Sequence, residues 1–204
     1  MTRSAAQRQG ATVQVTAGFA DAERPKIARL CWQAFGGKLG RVLGPGPRAE
    51  AYLARAIRPD HALVARDAAG RLLGVAGFRT ARGSFLGPDR AAMAAVYGRA
   101  GAALRAGLMA LLTSDTDNHR FLVDGICVAA PARGRGVGSA LIAALVAEAG
   151  RRGHAELRLD VAAGNARARA LYQRTGFAVT GTSRSRLSGL LFDLPGWVTM
   201  VRPV

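Results

Sequence analysis

The chain contains only two cysteines, Cys31 and Cys127, and they lie far apart in the sequence. It has no Cys-x-x-Cys pair and no cluster of cysteine with histidine, which argues against a disulfide framework and against a zinc site. We therefore expect no metal, and two free thiols fit a reducing cytoplasm. The first ten residues also lack an apolar core of signal-peptide length, so a cytoplasmic location is expected.

Acidic residues are few as well. The chain has 13 aspartates and glutamates against 29 lysines and arginines, and the formal net charge is +16. Such a charge attracts anionic partners, nucleic acids included. The basic residues are nearly all arginine, however, and they are spread along the chain without a run of five or six like charges. A solvated arginine-rich surface is therefore favoured over a nucleic-acid groove.

Long uninterrupted apolar runs are also missing. The segment from 91 to 112 has the length of a membrane span, but Arg99 and Arg105 lie near its centre, where charge is costly in lipid. No membrane contact is expected. The apolar residues of this segment recur at helical spacing, which predicts a helix over 89–112 instead.

What the chain does contain is a glycine loop between a predicted strand and a predicted helix. The apolar run Phe121–Val128 predicts the strand, and an amphipathic helix begins near Gly136. Residues 133–138 between them read Arg-Gly-Arg-Gly-Val-Gly. Because the first amides of a helix have no intrahelical partner and point out of its positive end, this junction predicts an anion site. Glycine leaves room for a phosphate, and the two arginines add charge.

The spacing of these glycines distinguishes the loop from other phosphate-binding loops. A Walker loop needs Gly-Lys-Ser/Thr, and a dinucleotide loop needs Gly-x-Gly-x-x-Gly, whereas these glycines alternate. The loop matches Arg/Gln-x-x-Gly-x-Gly/Ala instead, and in this it resembles the GNAT superfamily of acetyl-coenzyme A dependent N-acetyltransferases. Residues 165–177 resemble the second signature of that family, with Asn165 opening a helix, Tyr172 seven residues on, and Gly176-Phe177 closing it.

The remaining pattern predicts one α/β domain over 1–204. Its fold would be a GNAT-like mixed sheet of about seven strands, mostly antiparallel, with a central parallel pair and flanking helices. The helix at 89–112 departs from the compact family pattern, so we predict a helical insertion at about 87–114. Predicted strands cover 12–17, 62–65, 72–78, 121–128, 155–161, 178–180 and 198–201; predicted helices cover 21–37, about 48–58, 89–112, 136–153 and 165–175.

The resemblance implies acetyl-coenzyme A as co-substrate. Its pantetheine arm would lie along the central strand and bind the backbone of Cys127 and Val128, where an amide would polarise the thioester carbonyl. The pyrophosphate would bind the glycine loop, and Asn165 would either contact the cofactor or cap its helix. The loop residues expected to bind are Arg133, Gly134, Arg135, Gly136, Val137, Gly138 and Ser139.

The resemblance also implies that Tyr172 is the general acid that protonates the coenzyme thiolate. The alternative is that its ring only packs against the Gly176-Phe177 turn. Asp124 is the candidate base: strand alternation places it on one face with Ile126 and Val128, from where it could draw a proton through water. A buried aspartate satisfied by the neighbouring strand is the alternative. Cys127 has the opposite parity, which favours a structural thiol over an acyl-carrying nucleophile.

The implied reaction is direct attack of a primary amine on acetyl-coenzyme A in a ternary complex. The helices at 24–58 and 89–112 would line the acceptor site, and the latter would be either a lid or an added core helix. Neither carries an acidic cluster, which favours a small-molecule amine or a protein N-terminus as acceptor. The alternative class of function is a non-catalytic acyl-coenzyme A binding or basic nucleic-acid binding protein on the same fold. A homodimer is compatible with the sequence.

Overall fold

The computed structural model of the chain describes residues 13–87, 89–112, 121–184 and 196–204. The strands within these residues are β1 (Gln14–Ala17), β2 (Ala62–Arg66), β3 (Leu72–Thr80), β4 (Gly83–Ser84), β5 (Phe121–Val128), β6 (Glu156–Ala162), β7 (Ala178–Arg184) and β8 (Gly196–Pro203). The α-helices are α1 (Arg24–Leu43), α2 (Gly46–Ala56), α3 (Arg90–Leu112), α4 (Val137–Arg151) and α5 (Ala166–Arg174).

The strands form one sheet in the order β1-β2-β3-β5-β6-β8-β7, with the two-residue β4 beside β3. Every neighbouring pair is antiparallel except β5 and β6, which run parallel. A parallel pair needs a crossover connection, and α4 lies within it. The predicted fold class is therefore confirmed: seven strands along the main path of the sheet, mostly antiparallel, with a central parallel pair and flanking helices.

Two hydrophobic cores lie on opposite faces of the sheet, because successive residues of a strand point to opposite sides. On β2, Val64 belongs to the core shared with α1, α2 and α3, while Ala65 belongs to the core shared with α4 and α5. Val75 and Ala76 of β3 divide in the same way. We call these two sides the α1 face and the α4 face.

The first helix is longer than predicted. Gly36-Gly37 predicts its end, but α1 continues to Leu43 and stops at Gly44, whose φ is +75°. The indole of Trp32 packs on Gly36, where an added Cβ would lie 3.1 Å from the ring. The same indole also reaches α2, where an added Cβ at Gly46 would lie 3.0 Å from the ring, and this packing offsets the cost of an interior glycine, which is about 1 kcal/mol relative to alanine.

The helix predicted over 89–112 is α3, and it is bent at Gly98, whose φ is +72°. Met93 is buried in the core of the α1 face, and the Tyr97 hydroxyl donates a 2.8 Å hydrogen bond to the carbonyl of Leu43 at the end of α1. These contacts attach α3 to the other helices of that face and support the added core helix. That the helix is an insertion stays a prediction. Among the residues described, no helix is long and apolar enough to cross a membrane.

The last two predicted strands are present as β7 and β8, and both are longer than predicted. They pair antiparallel, as expected. A loop is predicted over 183–196; residues 183 and 184 belong to β7 and residue 196 to β8, while 185–195 lie outside the described residues.

Candidate active site

β5 and β6 separate after two residue pairs. The parallel ladder joins Phe121 to Leu157 and Leu122 to Arg158. β6 pairs instead with β8 along its whole length. From residue 123 onward, the edge of β5 that faces β6 therefore has no strand partner within the described part of the chain. An extended ligand can pair with such an edge as an added strand.

The alternation of an antiparallel ladder decides which backbone groups of β5 face this open edge. The Ala129 amide donates to the Leu73 carbonyl at 2.9 Å, so the backbone groups of Cys127, two residues earlier, also point towards β3. Those of Ile126 and Val128 point away from β3. Cys127 and Val128 were predicted to hold the pantetheine arm. The backbone groups of Val128 face the open edge, whereas those of Cys127 do not. The backbone groups of Ile126, which was not predicted, also face the open edge.

The loop between β5 and α4 presents unpaired amides at one end of this edge. Gly134 and Gly136 have φ of +76° and +80°, which residues with a Cβ rarely adopt. The first helical bond of α4 runs from the Ala140 amide to the Gly136 carbonyl, so the three amides before Ala140 have no helical acceptor. No side chain caps this end, and its first turn holds no acidic residue. Such an end of a helix fits an anion.

Space in front of the loop also fits an anion, although the three glycines contribute differently. An added Cβ at Gly134 or Gly136 would meet no atom within 4 Å, whereas one at Gly138 would lie 3.1 Å from Leu171 of α5. Gly138 is therefore explained by close packing of α4 on α5, and not by room for a phosphate. The guanidinium of Arg133 is exposed and donates to the Val128 carbonyl at 3.2 Å.

Two functional residues are predicted in the segment 165–177, and the structure places Asn165 at the N-terminal cap of α5 and Tyr172 within the helix. The side-chain oxygen of Asn165 accepts a 3.1 Å hydrogen bond from the Ala168 amide, so the predicted helix cap is confirmed and its contact with a cofactor stays a prediction. The ring of Tyr172 packs edge-on against Phe177, with centroids 5.7 Å apart. Burial raises the pKa of Tyr172 to about 12, and the nearby Cys127 thiol adds to the rise. At neutral pH this residue is a protonated phenol.

Cys127 lies on the α1 face, and its neighbour there is the other cysteine. The Cys127 thiol donates to Cys31 of α1, with 3.8 Å between the sulfur atoms, and both side chains are buried. The hydrogen bond to Cys31 and burial together raise the pKa of the Cys127 thiol well above its usual value. A protonated, buried thiol is a poor nucleophile, which supports the structural role.

Asp124 does not share a face with Ile126 and Val128, contrary to the prediction from strand alternation. The register of β3 and β5 pairs Gly77 with Gly125 and Phe78 with Val123, so Asp124 is the extra residue of a β-bulge. A bulge reverses the parity of the residues beyond it. The Asp124 carboxylate consequently points to the α1 face.

The carboxylate of Asp124 is held by its surroundings on that face. It accepts a 3.1 Å hydrogen bond from the Phe85 amide and lies 3.3 Å from the guanidinium of Arg79. Burial raises the pKa of Asp124, while Arg79 opposes the rise. These contacts anchor the short β4 segment, and they also place a carboxylate of raised pKa at the bulge.

Sequence reasoning missed two residues near Asp124. Arg79 is the only charged side chain of β3 in contact with it, and the ring of Phe35 from α1 covers Gly125, where an added Cβ would lie 2.6 Å from the ring. A glycine inside a strand often marks a place where another part of the chain packs closely on the backbone, and Gly125 is such a glycine. Nothing in the sequence pointed to Phe35 as its partner. Among the described residues, no group of three or more metal-binding side chains comes together.

A family model described as the acetyltransferase (GNAT) family matches residues 26–177. No curated protein sequence matches the chain. A GCN5-related N-acetyltransferase from Kribbella flavida is 25% identical, with a TM-score of 0.58 over 94% of this chain and 98% of that one. A Corynebacterium glutamicum structure, named histone acetyltransferase HPA2 and related acetyltransferase, is 23% identical, with a TM-score of 0.65 over 95% and 97% of the chains.

The second of these similarities shows the fold alone, and so does that to Ard1 from Thermoplasma volcanium, which is 18% identical with a TM-score of 0.58 over 94% and 97% of the chains. The family match is wider than the two signatures, since it begins in α1 and ends at Phe177. The chain therefore belongs to the GNAT acetyltransferase family and is an acyltransferase.

Proposed function

We propose that this protein transfers the acetyl group of acetyl-coenzyme A to a primary amine by direct attack in a ternary complex. The observation that carries the proposal is the open edge of β5, which ends at a loop of unpaired amides. A ligand with an extended arm would pair with the open edge, and a polyanionic group joined to that arm would bind the loop. The family generally uses acetyl-coenzyme A, which has this shape and charge.

The pyrophosphate would bind the amides from Gly134 to Ser139, with Arg133 and Arg135 adding positive charge. Both arginines are exposed, and the partner of Arg133 among the described residues is the neutral carbonyl of Val128, so its charge is available to a phosphate. The pantetheine arm would pair with the edge of β5 through Ile126 and Val128. An amide of this edge would polarise the thioester carbonyl as charge develops on its oxygen.

Tyr172 would donate a hydrogen bond to the departing thiolate. Its pKa of about 12 keeps the proton in place at neutral pH. A thiol has a pKa of about 8.5 in water, so complete proton transfer from this phenol is uphill, and stabilisation of the leaving sulfur by the hydrogen bond is the larger contribution. Asn165 would hold the start of α5 and thereby the position of Tyr172.

Asp124 has two roles open to it. As a base it would draw a proton from the amine through water; as a structural group it would hold β4 by the Phe85 amide and offset the charge of Arg79. Asp124→Asn separates them. If Asp124 is a base, the variant should lose the fall of the transfer rate at low pH and keep its thermal stability. If Asp124 is structural, the variant should be less stable and its pH profile should not change.

The acceptor would be a small or weakly charged amine or a protein N-terminus. Two glutamates of the α1 face are already engaged: Glu23, just before α1, holds Arg66 through both oxygens at 2.6 and 2.7 Å, and Glu50 of α2 lies 3.4 Å from Arg29. No acidic cluster of the described residues is left to select a polycationic amine.

The test combines binding with turnover. We expect calorimetry to show binding of acetyl-coenzyme A that does not require DNA. In a panel of amines assayed by thiol release, we expect turnover with small amines or with a peptide N-terminus. Coenzyme binding without turnover on any amine would leave a non-catalytic coenzyme-binding protein. Salt-sensitive DNA binding without coenzyme binding would overturn the proposal.

A further inference from the structure

The two cysteines meet on the α1 face although 96 positions separate them in the sequence. Their sulfur atoms are 3.8 Å apart, and the hydrogen bond between them means that the two side chains already face each other. Both are free thiols and at most 3% exposed. A disulfide requires that the sulfur atoms close to about 2.05 Å. We propose that Cys31 and Cys127 form an oxidative modification site, at which a peroxide converts the two thiols into a disulfide that joins α1 to β5.

A cavity lies beside the segments that carry the two cysteines, although neither cysteine lines it. It has a volume of about 270 Å³ and lies between α1 and the ends of β3 and β5. Leu30, which precedes Cys31, and Ala129, two residues after Cys127, both line it. Since one water takes up about 30 Å³ in the liquid, hydrogen peroxide fits easily into this cavity.

The reaction has two steps. The Cys31 sulfur, which accepts the hydrogen bond, attacks one oxygen of the peroxide; an S–O bond forms, the O–O bond breaks, and the first water leaves with the thiol proton. The Cys127 thiol, already in contact with Cys31, then passes its proton to the sulfenic oxygen while its sulfur bonds to the sulfenic sulfur, so that no free thiolate is required. The S–S bond forms, the S–O bond breaks, and the second water leaves with the Cys127 proton. Two thiols are oxidised by two electrons in total, and one peroxide is reduced to two waters.

Closing the sulfur distance would draw β5 towards α1. This consequence rests on the proposed function, because β5 is the strand that would hold the thioester. A shift of about 1 Å in the reacting geometry can cost about a hundredfold in rate. Oxidation should therefore lower acetyl transfer by about tenfold to a hundredfold, and a thiol reductant should restore it.

The disulfide itself is tested by mass and peptide mapping of the folded full-length protein. After treatment with hydrogen peroxide, the protein is denatured and its free thiols are alkylated. We expect neither cysteine to be alkylated, the protein to lack two hydrogen atoms at these residues, and one linked peptide pair to contain Cys31 and Cys127. Dithiothreitol should return two alkylatable thiols.

Cys31→Ser is the matched control, with Cys31→Ala as a second variant of different polarity. In each, Cys127 should remain alkylatable or stop at an oxygen adduct, without a linked peptide. Two alkylated cysteines in treated wild type, or an irreversible oxygen adduct on one of them, would overturn the proposal. So would a disulfide that links two protein molecules only.

The acetyl-transfer rate before and after peroxide treatment tests the link between the disulfide and activity. Oxidised wild type that contains the disulfide and keeps its full transfer rate would overturn the link between oxidation and rate. If untreated protein shows no acetyl transfer at all, the proposed function fails, and the mass result still decides the disulfide. The rate of the Cys31 variants should not respond reversibly to peroxide.

Discussion

The loop before α4 and the helices of the α1 face are built by different kinds of contact. The loop depends on its own backbone: positive φ at Gly134 and Gly136, and helix amides without a cap. The α1 face depends on side chains from distant segments, such as Phe35 over Gly125 and Tyr97 on the Leu43 carbonyl. A change in the loop should therefore act on ligand binding, and a change on the α1 face on stability.

The largest effect should come from Gly136→Asp. It places a carboxylate where the pyrophosphate would bind, and repulsion between like charges costs several kcal/mol, or more than about a hundredfold in the Kd for acetyl-coenzyme A. An added Cβ meets no atom within 4 Å, but the left-handed φ of +80° costs a residue with a Cβ about 1–2 kcal/mol, so Tm should fall by only a few degrees and the protein should still fold. Calorimetry and a thermal melt measure the two effects.

Gly136→Asn is the matched control for this variant. Asparagine has the size of aspartate and tolerates left-handed φ better than most residues, but it has no charge. Its loss of affinity should be much smaller. Equal losses in both variants would assign the effect to backbone strain and not to an anion site.

A smaller effect, confined to turnover, is expected for Tyr172→Phe. The ring and its contact with Phe177 remain, while the hydroxyl that would donate to the leaving sulfur is lost. General acid help is worth about a hundredfold or more, and because the high pKa of Tyr172 limits its help mainly to a hydrogen bond, we expect a smaller loss of about tenfold to a hundredfold. Single-turnover rates and coenzyme affinity, measured separately, should show a loss in the first alone. An unchanged rate with intact binding would assign Tyr172 to packing.

The local features of the site were predictable from sequence, and the tertiary ones were not. The strand before the loop, the N-terminus of α4 at Gly136 and the cap at Asn165 depend on neighbouring residues, and the structure has them at the predicted positions. The bulge at Asp124 depends on β3, since only the register with a partner strand reveals an extra residue. Strict alternation therefore put Asp124 on the wrong face.

The same reason explains the errors on the α1 face. Gly36-Gly37 is a helix stop by propensity, but α1 continues through it, and the Trp32 ring packs at Gly36 and at Gly46 of α2, a contact between two helices that the sequence does not reveal. The meeting of Cys31 with Cys127 requires that α1 lie across β5, which no spacing in the sequence encodes. Helix and strand signals are local, whereas the choice of partners across the sheet is made by the whole core.

Two glycine replacements should change stability in opposite directions. Gly125→Ala forces a Cβ to within 2.6 Å of the Phe35 ring, and such overpacking costs about 1–3 kcal/mol. Gly37→Ala adds a Cβ that meets nothing within 4 Å in an exposed part of α1, and it should stabilise by about 0.5–1 kcal/mol. In a chain of this size, each kcal/mol shifts Tm by about 2–4 °C.

The double variant Gly125→Ala with Phe35→Leu checks the cause. If the ring is what the new methyl group meets, the smaller side chain should recover part of the loss caused by Gly125→Ala, so that the two changes are not additive. Additive losses would show that Gly125 is needed for its backbone conformation instead.

The smallest effect concerns the pH dependence of an ion pair between sequence neighbours. Arg58 lies 2.6 Å from Asp60, and its hydrogen bonds lower the pKa of Asp60 to about 2 from 3.8, with His61 adding to the shift. A carboxyl group whose pKa is lowered by folding stabilises the folded state above 3.8 and loses that contribution as the pH falls through about 2. Asp60→Asn should therefore lower Tm slightly at neutral pH and flatten its fall over that acid range. Both side chains are about half exposed, at 49% and 54%, so the change should be at most about 1 kcal/mol and should shrink in high salt.

Asp124 has the opposite effect on stability, because a raised pKa favours the folded state below 3.8 and costs stability as the pH rises. Melts of wild type, Asp60→Asn and Asp124→Asn across this range separate the two, and an acid limb unchanged by Asp60→Asn would mean that the pair with Arg58 does not form in solution.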